Sequence, residues 1–361
     1  MKKTAIHLLV WVLCLPAVLF GTDLNDVALE GIPAWATPKQ FRGDRHPFDI
    51  RLLAKKEGLS LREALEVQNH YLDMVDDTAN ARSPEEKFRL ALSRVKSDEN
   101  IYENVWNGEK IDRAAFIVVF DLDDTLLSQY YTSGNKGEKY RDIKLQEGCL
   151  RNSEQIGSRT CGNCIKFAPG WKECIEGIKL QGGAVVFFTA KRDSRAQQIL
   201  DHWFWDSQTP ITSVIDGFLT KNHLTLVPKT GKTAGRLRAM KDLQLIDPSL
   251  QRIVMVDDSP SHTYQPMNVR PVQRFLPDSY LADGTPPEIT GMYENTLKEV
   301  AGEIVESIGF AEENKIGFVE AYRPYSLIGR YALFDLMDTG LSKTEAALVL
   351  RKFPCVIENK F

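Results

Sequence analysis

Cysteine is scarce in this chain, with six residues in 361, too few to build a disulfide scaffold. An excess of one charge is also missing. Forty-five Lys and Arg face 49 Asp and Glu, a net charge of −4. Residues 1–21 hold Lys2, Lys3 and no acid, so the remainder is more acidic still, which excludes nucleic acid as a partner held by bulk charge. No apolar run reaches the roughly 20 residues that a spanning helix needs, so the mature protein is expected to have no stable membrane span. The 24 Gly and 17 Pro show no collagen-like period or low-complexity bias, and a 43% hydrophobic content is enough to bury a full core. The length allows two domains, or one α/β domain with helical extensions.

The chain begins Met1-Lys2-Lys3, followed by a largely apolar run from Ala5 to Phe20 and then polar residues. This is the pattern of a secretory signal peptide over 1–21, and it predicts export to the periplasm or beyond. The alternative is an uncleaved anchor, because the only small-residue pair near the expected cleavage point is Leu19 and Gly21.

Residues 22–111 read as a Pro- and Gly-rich lead-in followed by helices. In the second of these Ser83 is an N-cap, Pro84 the first helical residue and Glu86 the partner of a capping box. The period then changes. Ala115–Phe120, Ala184–Thr189 and Arg252–Asp257 are continuous β-prone apolar runs, each ending in a polar residue. Helical patterns lie between them over Pro169–Leu180, Asp193–His202 and Lys232–Leu243, and Val272–Leu276 reads as one more strand. Strands alternating with helices predict a doubly wound parallel sheet, whose ligands bind beyond the carboxyl ends of the strands. The polar ends of the three runs all fall at that edge. Residues 281–361 read as helical again.

The sharpest signal is Asp121-Leu122-Asp123-Asp124-Thr125, directly after a strand. Two carboxylates two residues apart on a turning chain crowd into one small volume, which is costly without a cation. Hard oxygen ligands with positions left for water suit Mg²⁺. The alternative is an acidic turn in which Asp124 and Thr125 only cap a helix.

With Phe188-Thr189 after the second strand and Val256-Asp257-Asp258 after the third, the chain resembles the haloacid dehalogenase (HAD) superfamily in its phosphatase branch. Asp121, Asp123 and Thr125 match that family's first motif, Thr189 its second, and Asp257 and Asp258 its fourth. The resemblance spans about 115–280. It implies a HAD-like Rossmannoid catalytic domain over 112–280, with a cap insert at about 128–183 and helical flanks on both sides. By this likeness Asp121 is the nucleophile, forming an aspartyl-phosphate, and Asp123 is the general acid and base. Thr189 and the lysine of the third motif bind the phosphoryl group. Arg192 or Arg195, following Thr189 at the functional edge, is a candidate substrate contact read from its position, with a solvated helix start as the alternative. Lys232 is favoured as that lysine because a helix starting there would place it at the functional edge. Lys229 and Lys241 are the alternatives; Lys241 lies in a KDL-to-VDDSP spacing similar to that of the small C-terminal-domain phosphatases. Mg²⁺ is implied at Asp121, the backbone carbonyl of Asp123, Asp257 and Asp258.

The insert carries Cys149, Cys161, Cys164 and Cys174, for which two disulfides are expected in an exported protein and a zinc knuckle is the alternative. A glycine-containing polar stretch at 130–140 is expected to be a mobile lip. The expected function is an exported Mg²⁺-dependent phosphomonoesterase acting on a small phosphorylated substrate. The alternatives are a non-catalytic envelope or binding protein of the same fold, and a protein phosphatase of the small C-terminal-domain type. The sequence leaves the oligomeric state open.

Overall fold

The structure is a computed structural model and describes residues 40–41, 44–45, 50–77, 79, 81–97, 105–131, 150–156, 159–228, 237–281 and 284–354. The expected signal segment 1–21, Lys229, Lys232, Cys149, Cys355 and most of the 130–140 stretch lie outside them. The chain divides into two compact units, residues 1–103 with 222–248, and residues 104–221 with 249–361.

The first unit holds helices Ile50–Glu57, Leu61–Asp76 and Pro84–Ser97. The expected capping box is formed: the Ser83 amide donates to Glu86 at 2.8 Å and the Glu86 amide to the Ser83 hydroxyl at 3.3 Å. Where a helix was expected over Lys232–Leu243, the described part is a strand, Leu237–Met240, antiparallel to Thr225–Pro228. Its sequence, Leu-Arg-Ala-Met, is made of good helix formers, and the four-residue ladder overrides that propensity. Within this unit the Arg51 guanidinium donates to Gln244 at 2.7 Å and to Asp242.

The second unit is built on a parallel sheet of five strands. They are β1 (Ile117–Phe120), β5 (Ala184–Phe188), β6 (Gly217–Leu219), β7 (Ile253–Asp257) and β8 (Val269–Pro271), in the order β8-β7-β1-β5-β6. Every residue of β1, β5 and β7 is buried, as their unbroken apolar runs require in a sheet covered on both faces. The last strand is displaced from its expected place at Val272–Leu276. Its pairing with β7 ends where Asp257 meets Pro271, and the Val272 amide closes it with a bond to the Asp257 carbonyl at 3.1 Å.

Three more strands, β2 (Leu127–Tyr131), β3 (Leu150–Ile156) and β4 (Arg159–Phe167), form an antiparallel sheet in the order β2-β4-β3. The described part of the insert is therefore sheet as far as Phe167, with the helix Trp171–Leu180 after it. Helix α1 (Gly108–Arg113) leads into β1, and α2 (Trp171–Leu180) and α3 (Asp193–Asp201) connect strands. After them come α4 (Pro277–Leu281), α5 (Pro287–Asn314), α6 (Phe318–Tyr322), α7 (Leu327–Asp338) and α8 (Lys343–Lys352).

The C-terminal helices share the core of the sheet. The Phe116 and Phe318 rings meet at a tilt of 38° with centroids 4.9 Å apart, and the Val319 amide donates to the Gln251 carbonyl at 3.2 Å. Arg270 on β8 is buried against Glu303 on α5, with bonds of 2.7 and 2.9 Å. Cys174 on α2 is a free, buried thiol, which overturns the expectation that it takes part in a disulfide or a four-cysteine zinc site. An amphipathic helix presents that position to the core, where a thiol packs as a small apolar group. Among the described residues no helix is long and apolar enough to cross a membrane.

Candidate active site

Strand register puts the acids at one edge. Phe120 of β1 pairs with Val256 of β7 and with Phe187 of β5. Asp121 and Asp257 therefore leave adjacent strands at the same level, and the Asp121 amide donates to the Val256 carbonyl at 3.0 Å.

Beyond β1 the chain makes a tight turn anchored from below. Leu122 and Leu126 are fully buried, and the Leu122 carbonyl accepts from the amides of Leu126 at 3.1 Å and Leu127 at 3.0 Å. With these apolar residues fixed in the core, the polar residues between them face the edge. Asp124 holds the left-handed backbone the turn requires, at φ 60°. Its carboxylate accepts from the Ser128 hydroxyl at 2.5 Å and from the Arg274 Nε at 2.6 Å, and this pairing holds the guanidinium pKa above its ordinary value. The hydroxyl of Thr125 accepts from the Asp258 amide at 3.0 Å. Asp124 and Thr125 thus bind the first motif to its surroundings and cap no helix, because the chain enters the strand Leu127–Tyr131 directly.

Asp121, Asp257 and Asp258 each offer one carboxylate oxygen within 4.8 Å of the other two. Asp121 and Asp257 are buried, and Asp257 is oriented by the Ser259 amide at 2.6 Å. Three hard oxygens converging from two strand ends fit a Mg²⁺ ion, which Asp121, Asp257 and Asp258 would hold. The Asp123 carboxylate stands outside this cluster. It meets the Lys191 ammonium at 2.5 Å through Oδ1, while its Oδ2 accepts from the Thr189 hydroxyl at 3.5 Å.

Thr189 is fully buried just past β5, its amide donating to the Leu219 carbonyl at 2.9 Å. The structure thus brings together Asp121, Asp257 and Asp258, and beside Asp123 it sets Thr189. Arg192 is not part of this arrangement: it is the exposed N-cap residue of α3 and makes no side-chain capping bond. A cation that does touch a motif residue, Asp123, is Lys191, one position earlier. Sequence reasoning passed over it in favour of the arginines, although it stands two residues beyond the motif threonine. Lys232 and Lys229 lie outside the described residues, while Lys241 is buried in the first unit, directly after Leu237–Met240. His202 is exposed and bonds the Gln198 carbonyl of its own helix at 2.9 Å, and Trp203 is core, stacked on Phe187.

A covered parallel sheet with this acid set at its carboxyl edge defines a phosphatase of the haloacid dehalogenase type. Residues 116–295 match the model of the NLI interacting factor-like phosphatase family. No curated protein matches the chain. Among solved structures it is similar to that of Fcp1, an essential RNA polymerase II CTD phosphatase, at 16% identity and TM-score 0.35 over 57% of each chain. It is also similar to a variant of fission yeast Fcp1 bound to beryllium fluoride, at 14% identity and TM-score 0.35, over 67% of this chain and 72% of that one. The chain thus spans little more than half the length of the first of these.

Proposed function

We propose that the protein hydrolyses phosphomonoesters on phosphorylated protein side chains through an aspartyl-phosphate at Asp121. The observation that carries the reading is the convergence of Asp121, Asp257 and Asp258 beside an Asp123 held by Lys191 and Thr189. In this reading the Asp121 carboxylate attacks phosphorus as the ester oxygen departs, and Asp123 gives that oxygen its proton. Asp123 then takes a proton from the water that cleaves the acyl phosphate. The Thr189 hydroxyl donates to a phosphoryl oxygen. Mg²⁺, held by the three acids and the Asp123 backbone carbonyl, would supply positive charge against the oxygens of the transferring group.

The phosphate-binding lysine of the third motif stays one of Lys232, Lys229 and Lys241 on the sequence alone: the KDL-to-VDDSP spacing supports Lys241, and the helix expected to start at Lys232 is a strand in its described part. The family match likewise favours a protein substrate over the small phosphoester first expected. Export through residues 1–21 is kept as part of the proposal and would place the substrate outside the cytoplasm.

The test is hydrolysis of p-nitrophenyl phosphate and of a phosphoserine and phosphothreonine peptide panel with Mg²⁺. Wild type should turn over both and prefer peptides to sugar phosphates. Chelation should abolish turnover, and Asp121→Asn should lose both activity and the hydroxylamine-labile phosphoenzyme trapped by acid. Equal rates in wild type and Asp121→Asn would refute the mechanism, and a preference for sugar phosphates would refute the substrate class.

A further inference from the structure

Lys191 belongs to neither the acid cluster nor the phosphate-binding set, yet it makes the shortest contact to Asp123 among those described. Its backbone is pinned on both sides. The Lys191 amide donates to the Thr189 hydroxyl at 3.1 Å, and its carbonyl accepts from the Lys221 amide at 2.9 Å. From that fixed base the side chain, 13% exposed, reaches Asp123 Oδ1 at 2.5 Å. The other nearby cation, Arg274, is committed to Asp124. The two oxygens of Asp123 are therefore unlike: Oδ1 is engaged by an ammonium, and Oδ2 faces the Thr189 hydroxyl at 3.5 Å. Of the two, Oδ2 is the oxygen that the Lys191 ammonium leaves unclamped.

We propose that Lys191 is a positioning residue that clamps Asp123 Oδ1, so that Oδ2, on the Thr189 side, carries the proton to the leaving oxygen. The inference rests on the reading of Asp123 as the proton carrier. The step balances: the O–P bond of the ester breaks as the bond from Asp121 to phosphorus forms, and the proton passes from Asp123 Oδ2 to the departing alkoxide or phenoxide. An unclamped Asp123 rotates about its side-chain bonds and spends less time aimed at the leaving group, and misplacements of this size cost about 10²-fold in rate.

The experiment compares wild type, Lys191→Met, Lys191→Arg, Asp123→Asn and the Asp123→Asn/Lys191→Met double variant on aryl phosphates of graded leaving-group basicity. It reads kcat/KM, which reports only the steps through formation of the phosphoenzyme. For Lys191→Met we expect a loss of about 10²-fold on phenyl phosphate, little change on p-nitrophenyl phosphate, whose leaving group needs no proton, and an unchanged KM. Lys191→Arg should restore most of the loss, and in the Asp123→Asn background the lysine substitution should cost nothing further.

A uniform loss across all leaving groups with a raised KM would overturn the proposal and make Lys191 a phosphoryl-binding group. So would equal losses in the wild-type and Asp123→Asn backgrounds. Thermal unfolding of each variant separates a folding defect from a catalytic one. Lys191→Gln, still a hydrogen-bond donor, serves if the methionine variant does not fold. A wild type inactive on every ester would overturn the proposed function and this inference together, whereas an active wild type, a dead Asp121→Asn and a uniform Lys191→Met effect would overturn the inference alone.

Discussion

Replacing Glu303 with alanine removes the centre of the charged network that ties sheet to helices. Arg270 grips Glu303 with Nε at 2.7 Å and Nη2 at 2.9 Å, and both side chains are about 5% exposed or less. Lys343 adds a contact at 2.9 Å and the Tyr322 hydroxyl donates at 3.4 Å. Without Glu303 the Arg270 guanidinium is buried against uncompensated charge, and breaking a buried pair in this way costs about 3–5 kcal/mol. Glu299 stands 3.8 Å from Arg270 but is half exposed, so it recovers at most about 1 kcal/mol. The net loss is about 3 kcal/mol, which for a unit of this size lowers Tm by about 10 °C.

Urea titration and calorimetry measure it. The companion double variant, Arg270→Met with Glu303→Leu, replaces the pair with apolar groups of similar volume and should lie closer to wild type than Glu303→Ala does. The pH dependence follows from Glu303. Burial alone would raise its pKa, but Arg270 and Lys343 outweigh that and hold it below the usual carboxylate range. Its contribution is therefore complete above an unfolded pKa of about 4.3 and is lost as pH falls through the lower folded value. Glu303→Gln should flatten that acid limb. A loss below about 1 kcal/mol in Glu303→Ala, or a double variant weaker than the single, would refute the reasoning.

Two further perturbations probe packing. Burial pushes the Cys174 thiol up to about 12, so in the native state it should resist iodoacetamide and label only in denaturant, as read by peptide mass mapping. Native labelling of Cys174 would show that the core around it is open. Gly329 at the start of α7 lies so close to the Arg323 carbonyl that an added Cβ would fall on it, so Gly329→Ala should destabilise by about 1–3 kcal/mol in urea titration, and an unchanged midpoint would contradict the packing.

What the sequence revealed and what it hid divide along contact range. Ile117–Phe120, Ala184–Phe188 and Ile253–Asp257 are legible because burial on both faces demands an unbroken apolar run, whatever the neighbours are. Asp121 and Asp123 are legible because their geometry is set within one turn, by Leu122 and Leu126 pointing into the core. The Leu237–Met240 strand is hidden because its four residues favour helix, and only pairing with Thr225–Pro228 makes them extended. The β2-β4-β3 sheet is hidden for a related reason: its strands carry the polar residues of an insert, and no periodic pattern marks them. The C-terminal helices were visible as helices, but their place in the core depends on Phe116 meeting Phe318 and Arg270 meeting Glu303, pairs far apart in sequence.

The same distinction explains why Lys191 was missed while Thr189 was found. Thr189 belongs to a strand end whose polarity interrupts an apolar run, a change visible in the sequence itself. Lys191 follows in Lys-Arg-Asp-Ser-Arg, where three cations look equivalent and any of them suits the solvated start of a helix. Backbone geometry separates them. The Lys191 amide folds back onto the Thr189 hydroxyl and its carbonyl is tied to Lys221, which directs the side chain at Asp123, while Arg192 begins α3 and faces water. A motif carried on a strand end thus fixes one residue by its type, and the turn that follows selects which of several similar neighbours can reach the same group.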